Sequence, residues 1–148
     1  MPIVKGTNIL VVEDNYFLAT ELGRYFSALG ASVMGPVPSV DAAHAFLDET
    51  EAAILDIRLD DGNVFTLADE LLRRRVPFVF YTAYPETAIP ARFQHVGYLQ
   101  KPAQPESVVK TLFEHQEVDR SSPENSGGSV MTALPLLRLA ARVQIGDE

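Results

Sequence analysis

The sequence predicts an α/β fold in which helices cover both faces of a five-stranded parallel sheet. Three observations carry this. Short apolar runs alternate with longer amphipathic stretches, the rhythm of successive βα units. Runs such as NILVV at residues 8–12 are almost continuously apolar, which suits strands covered on both faces. Polar residues gather where the runs stop: Glu13 and Asp14, then Asp56, Thr82 and Lys101.

The first strand, residues 8–12, leads into a helix over residues 16–29, where Leu18, Leu22, Tyr25, Phe26 and Leu29 recur at helical spacing and Gly30 stops the helix. Residues 31–37 suit a second strand. Ser39 is placed to cap a helix reaching about Glu49. Residues 52–57 (AAILDI) form a third strand that carries Asp56 at its end. Asp60, Asp61 and Gly62 signal a turn, and a helix is expected from there to about Arg75. The run Arg73, Arg74, Arg75 resembles a basic patch, but cations closing a helix C-terminus explain it more simply through the helix dipole. Residues 77–81 (PFVFY) and 96–100 supply the last two strands. Pro85 and Pro90 leave little room for a full helix between them. A final amphipathic helix covers residues 104–116, with Val108, Val109, Leu112 and Phe113 on one side. One domain over residues 1–117 is therefore expected.

Residues 118–129 are polar and rich in Ser and Gly, and read as a linker. Residues 130–148 are a short apolar segment, too short for a bilayer and too apolar to stay free in water. It is expected to dock as a helix on its own domain, on a partner, or on a second copy to give a homodimer.

Composition narrows the function. Hydrophobic residues are 47% and charged residues 22% of 148, ordinary for a globular chain. The absence of cysteine excludes disulfides, thiolate catalysis and Cys-based zinc sites. A net charge of −8 argues against broad binding to nucleic acid or anionic membrane. The N-terminus does not read as a secretory signal, and no apolar run is long enough to span a bilayer. A soluble, cytoplasmic protein is expected. His44, His95 and His115 fall outside the strand-end group and read as surface residues.

In open α/β sheets, sites form at the carboxyl ends of the strands, where the strand order reverses. There Glu13, Asp14, Asp56, Thr82 and Lys101 would meet. Singly, each has a plainer role: Asp14 can cap the first helix, Asp56 can be a turn residue, Thr82 a strand end, Lys101 a solvated charge. Together they describe chemistry. Carboxylates brought close repel one another unless a cation intervenes. An oxygen-rich set without histidine or cysteine favours a hard ion such as Mg²⁺. A carboxylate so placed can attack phosphorus, with a lysine and the ion offsetting charge on the transferring oxygens.

The segments ILVVEDN, ILDIRL, FVFYTAY and YLQKP, in this order and spacing, resemble the receiver domains of two-component response regulators over about residues 7–116. The resemblance implies a doubly wound, flavodoxin-like (CheY-like) sheet of strand order 2-1-3-4-5. It implies Asp56 as the phosphoacceptor, with Glu13, Asp14, Asp56 and the backbone carbonyl of Arg58 around Mg²⁺. Thr82 becomes the switch hydroxyl with Ala83 beside it, and Lys101 the phosphate-binding lysine. Tyr98 becomes the aromatic whose rotamer follows phosphorylation, and the Lys101–Pro102 bond is expected to be cis. The implied partner is a histidine kinase or histidine phosphotransferase. The chain would act as a switching phosphoprotein that catalyses its own phosphorylation and dephosphorylation without diffusible turnover, and would not bind nucleic acid or membrane.

Some features depart from this pattern. The loop after Asp56 is short, and the stretch from Thr82 to Lys101 is compressed around two prolines, so a stunted fourth helix is expected. The TAY and IPARF pieces resemble single-domain receivers carrying a Phe-Ala-Thr-Gly-x-Tyr motif, here altered to FYTAY. Three other readings compete. A degenerate receiver would serve as a scaffold, which the intact Asp14, Asp56, Thr82 and Lys101 set opposes. An aspartyl-phosphate phosphohydrolase would want a second aspartate where Arg58 stands. A flavin-binding protein would want a Ser/Thr/Gly loop where EDNYF stands.

Overall fold

A computed structural model describes residues 5–120, with side chains described as far as Leu112. The five-stranded parallel sheet is present. Its strands are β1 (Asn8–Val12), β2 (Ser32–Val37), β3 (Ala52–Leu55), β6 (Phe78–Thr82) and β7 (Gly97–Gln100), in the order β2-β1-β3-β6-β7. This is the expected 2-1-3-4-5 arrangement. Two further strands, β4 (Arg58–Leu59) and β5 (Gly62–Asn63), form a separate antiparallel hairpin.

Strand alternation divides the core in two. Leu10, Val12, Leu55 and Phe80 face one side, where α2 (Val40–His44) and α3 (Phe65–Arg73) pack. Ile9, Val11, Ile54, Val79 and Tyr81 face the other, against α1 (Tyr16–Ala28) and α4 (Pro105–Arg120) through Leu22, Phe26, Val108, Val109 and Leu112. Asn15 caps α1 by accepting the Leu18 N–H, so the capping role open to Asp14 falls to its neighbour. At the other end the Gly30 N–H bonds Ser27 O and the Ala31 N–H bonds Phe26 O, with Gly30 at φ 91°.

Several boundaries differ from expectation. The helix from Ser39 ends at His44; i→i−3 bonds then tighten the chain into a 3₁₀ turn, Leu47–Glu49, that buries Leu47. The helix expected from the Asp60-Asp61-Gly62 turn begins only at Phe65, because that turn closes the β4–β5 hairpin. Arg73 and Arg74 pair with Glu70, and Arg74 also with Asp48. Arg75 instead takes φ 62° and ends α3 in the position that Gly30 fills after α1. The stunted fourth helix is confirmed: two 3₁₀ turns, Glu86–Ala88 and Ala91–Phe93, replace it. Helix α4 runs to Arg120, past the start expected for the linker; residues 121–148 lie outside the described residues. His44 and His95 are exposed, while the side chain of His115 lies outside the description. Among the described residues no helix is long and apolar enough to cross a membrane.

Candidate functional site

Four strand ends build the site. The Asp56 N–H bonds Val12 O at 3.0 Å and the Glu13 N–H bonds Val37 O at 2.9 Å, which aligns the exits of β1, β2 and β3. The Lys101 N–H bonds Thr82 O at 2.8 Å and does the same for β6 and β7. Backbone ladders, which tolerate little slippage, thus fix where each polar side chain leaves the sheet.

Glu13, Asp14 and Asp56 each bring a carboxylate oxygen within 4.8 Å of the other two. Glu13 and Asp56 are buried, at 3% and 7% exposure, and Asp14 is exposed. Lys101 lies among them, its Nζ 2.7 Å from Glu13 Oε1 and 3.0 Å from Asp56 Oδ2. The other oxygens are also engaged: Glu13 Oε2 accepts the Asn15 N–H at 2.9 Å, and Asp56 Oδ1 accepts the Ile57 N–H at 2.8 Å. Burial pushes the Glu13 carboxyl above its ordinary value; the bonds from Lys101 and Asn15 pull against it, and the charge of Asp56 adds to it. Burial works against the Lys101 ammonium, yet its bonds to Glu13 and Asp56 prevail and hold it above its ordinary value.

Three carboxylates and one ammonium leave two formal negative charges in this pocket of the sheet edge. An all-oxygen donor set with that charge fits a hard divalent cation. The residues present are therefore compatible with a divalent metal site.

Thr82 is fully buried, and its Oγ1 accepts the Tyr84 N–H at 3.4 Å, a long contact. Ala83 is exposed beside it, and its carbonyl accepts from the Gln100 amide at 3.1 Å. Tyr98 is half-buried, and its hydroxyl donates to Tyr84 O. Arg58 begins the hairpin after Asp56, with its guanidinium 5.9 Å from the Tyr84 ring centroid. The Lys101–Pro102 bond is cis, as expected; Gly35–Pro36 is a second cis bond that the sequence reading did not anticipate.

Two residues near the site escaped sequence reasoning. Asp61, at the hairpin tip, accepts the Val40 and Asp41 N–H groups at 3.0 Å each and ties the loop after Asp56 to α2. These bonds hold its carboxyl below the usual range. Tyr81, the residue before Thr82, bonds Ala103 through its hydroxyl. Its only sequence signal was the unusual FYTAY string.

No family model matches the chain. It is 30% identical over 131 residues to the phyllosphere-induced regulator PhyR of Methylorubrum extorquens, covering 82% of this chain and 49% of that protein. The chain thus spans about half the length of the curated relatives it matches. Among solved structures, SdrG from Sphingomonas melonis superposes with a TM-score of 0.65 at 34% identity, covering 74% of this chain and 96% of SdrG. A second solution structure of SdrG, in a BeF3-activated conformation, matches with a TM-score of 0.60. The non-phosphorylated HemR receiver domain from Leptospira biflexa shares the fold at 24% identity and a TM-score of 0.62, over 74% of this chain and 93% of that domain.

Proposed function

The chain belongs to the response-regulator receiver domains of two-component systems, and on that premise we propose that it accepts a phosphoryl group on Asp56. The observation that carries this is the seat of Lys101 Nζ between the buried carboxylates of Glu13 and Asp56, with Asp14 within reach. A lysine held there can follow charge from the carboxylates to an incoming phosphoryl group without leaving the pocket.

In this reading an Asp56 oxygen attacks phosphorus, forming the acyl phosphate as the bond to the donor, a phosphohistidine nitrogen of a histidine kinase or phosphotransferase, breaks. Lys101 exchanges its contact with Asp56 for one with a phosphoryl oxygen. Glu13, Asp14, Asp56 and the carbonyl of Arg58 would hold Mg²⁺, which when bound offsets charge on the transferring oxygens. The Thr82 hydroxyl exchanges the long Tyr84 contact for the phosphoryl group, with Ala83 moving alongside. Tyr98 gives up Tyr84 O and turns into the space this opens, coupling chemistry to the exposed 83–88 segment. The output is a protein–protein contact made in the cytoplasm, with no diffusible product.

A BeF₃⁻ titration followed by NMR tests the reading. With Mg²⁺ present, the amides of Thr82, Ala83 and Tyr98 should shift in the wild type and stay fixed in Asp56→Asn. Equal shifts in both proteins would remove Asp56 from the mechanism.

A further inference from the structure

We propose that Tyr81 is a positioning residue for Lys101, a role resting on the phosphoacceptor reading above. Tyr81 lies one residue before Thr82 in β6, and its side chain points to the sheet face opposite Phe80, into the α1–α4 core. It is 2% exposed. A phenol that deeply buried needs partners for its hydroxyl. It finds both on one residue: the hydroxyl donates to Ala103 O at 3.1 Å and accepts the Ala103 N–H at 3.2 Å.

Ala103 stands two residues after Lys101. The turn that carries the lysine is therefore clamped at both ends by consecutive residues of one strand. Thr82 O takes the Lys101 N–H at 2.8 Å, and the Tyr81 phenol takes both backbone groups of Ala103. Lys101 Nζ also lies 5.7 Å from the Tyr81 ring centroid, within reach of a cation–π attraction. A phenylalanine would fill the same core volume but leave Ala103 N–H and C=O without these partners. The hydroxyl is thus the part of Tyr81 that the core itself does not require. What it secures is the backbone from which the lysine reaches Glu13 and Asp56.

Tyr81→Phe, made in the full chain, tests this. In ¹⁵N-lysine-labelled protein the Lys101 ammonium should give a slowly exchanging signal in the wild type. That signal should broaden or move toward free lysine in the variant. With phosphoramidate and Mg²⁺, the limiting phosphorylation rate should fall roughly three- to tenfold, the worth of one or two hydrogen bonds, while the half-saturating donor concentration changes little. In a Lys101→Ala background the same substitution should change the rate less than about twofold, because its effect runs through the lysine. Tyr81→Met, which also removes the ring face, should disturb the lysine signal at least as much.

A wild-type lysine signal in both Tyr81 variants overturns the proposal, as does an undiminished rate effect in the Lys101→Ala background. A wild-type protein that takes up no phosphoryl group overturns the Asp56 reading instead; the lysine spectrum then decides the role of Tyr81 by itself.

Discussion

The Lys101 ammonium lies 3.0 Å from the Asp56 carboxylate, and the same nitrogen is 2.7 Å from Glu13. One cation thus serves two buried acids. Removing it as Lys101→Met leaves both uncompensated and should cost about 1–3 kcal/mol of stability in EDTA. The same change removes a competitor for the carboxylates, so Mg²⁺ should bind more tightly and restore part of the loss. Urea unfolding with and without Mg²⁺ measures both effects. An Mg²⁺ affinity unchanged or weakened in the variant would show that lysine and metal do not compete.

Glu13 gives a pH dependence with a definite sign. Its folded carboxyl sits above the ordinary 4.5, chiefly through burial. A carboxyl raised on folding holds its proton better in the native state than in the unfolded one. Its stabilising contribution is therefore complete below 4.5 and is lost as pH rises through the raised folded value. In Mg²⁺-free buffer, Glu13→Gln should lack this decline, and the stability difference between variant and wild type should grow in the variant's favour across that window. Denaturation at a series of pH values checks it; a pH-independent difference would contradict the assignment.

Phe93 and Arg92 both anchor the segment that replaces a fourth helix, and their magnitudes differ. Phe93 is 1% exposed and meets Phe65, Phe78 and Phe80 with ring centroids 5.6–6.5 Å apart. Arg92 makes a two-pronged pair with Asp69 at 2.8 and 3.0 Å, but both side chains are about half exposed. Phe93→Ala should cost about 3–5 kcal/mol and Arg92→Ala far less, because its ion pair is solvent-screened. Thermal unfolding of the two variants ranks them, and a reversed order would mean that the ion pair, not the aromatic cluster, holds the segment.

The parts of the fold that could be read from sequence were those with a long-range pattern. Continuous apolar runs mark strands covered on both faces, and the polar residue ending each run falls on one edge because all five strands are parallel. That is why Glu13, Asp14, Asp56, Thr82 and Lys101 could be grouped before any coordinates. The β4–β5 hairpin could not be read, since two-residue strands have no period, and its Asp-Asp-Gly turn serves equally to start a helix. Arg75 looked like a dipole-closing cation because φ is invisible in a sequence. Tyr81 was legible only as the last residue of the PFVFY strand; its partner Ala103 is 22 residues away, and nothing local to either residue reveals the bond. Residues 121–148, which hold most of the expected linker and all of the apolar tail, lie outside the described residues.

The most direct measurement is the intact mass after incubation with phosphoramidate, run with Mg²⁺, with EDTA, and on Asp56→Asn. A gain of about 80 Da, one phosphoryl group, that requires Mg²⁺ and vanishes in the variant is the predicted result. A gain of the same size in Asp56→Asn, or one indifferent to EDTA, would contradict the assignment of Asp56 as the phosphoacceptor of a metal-assisted receiver.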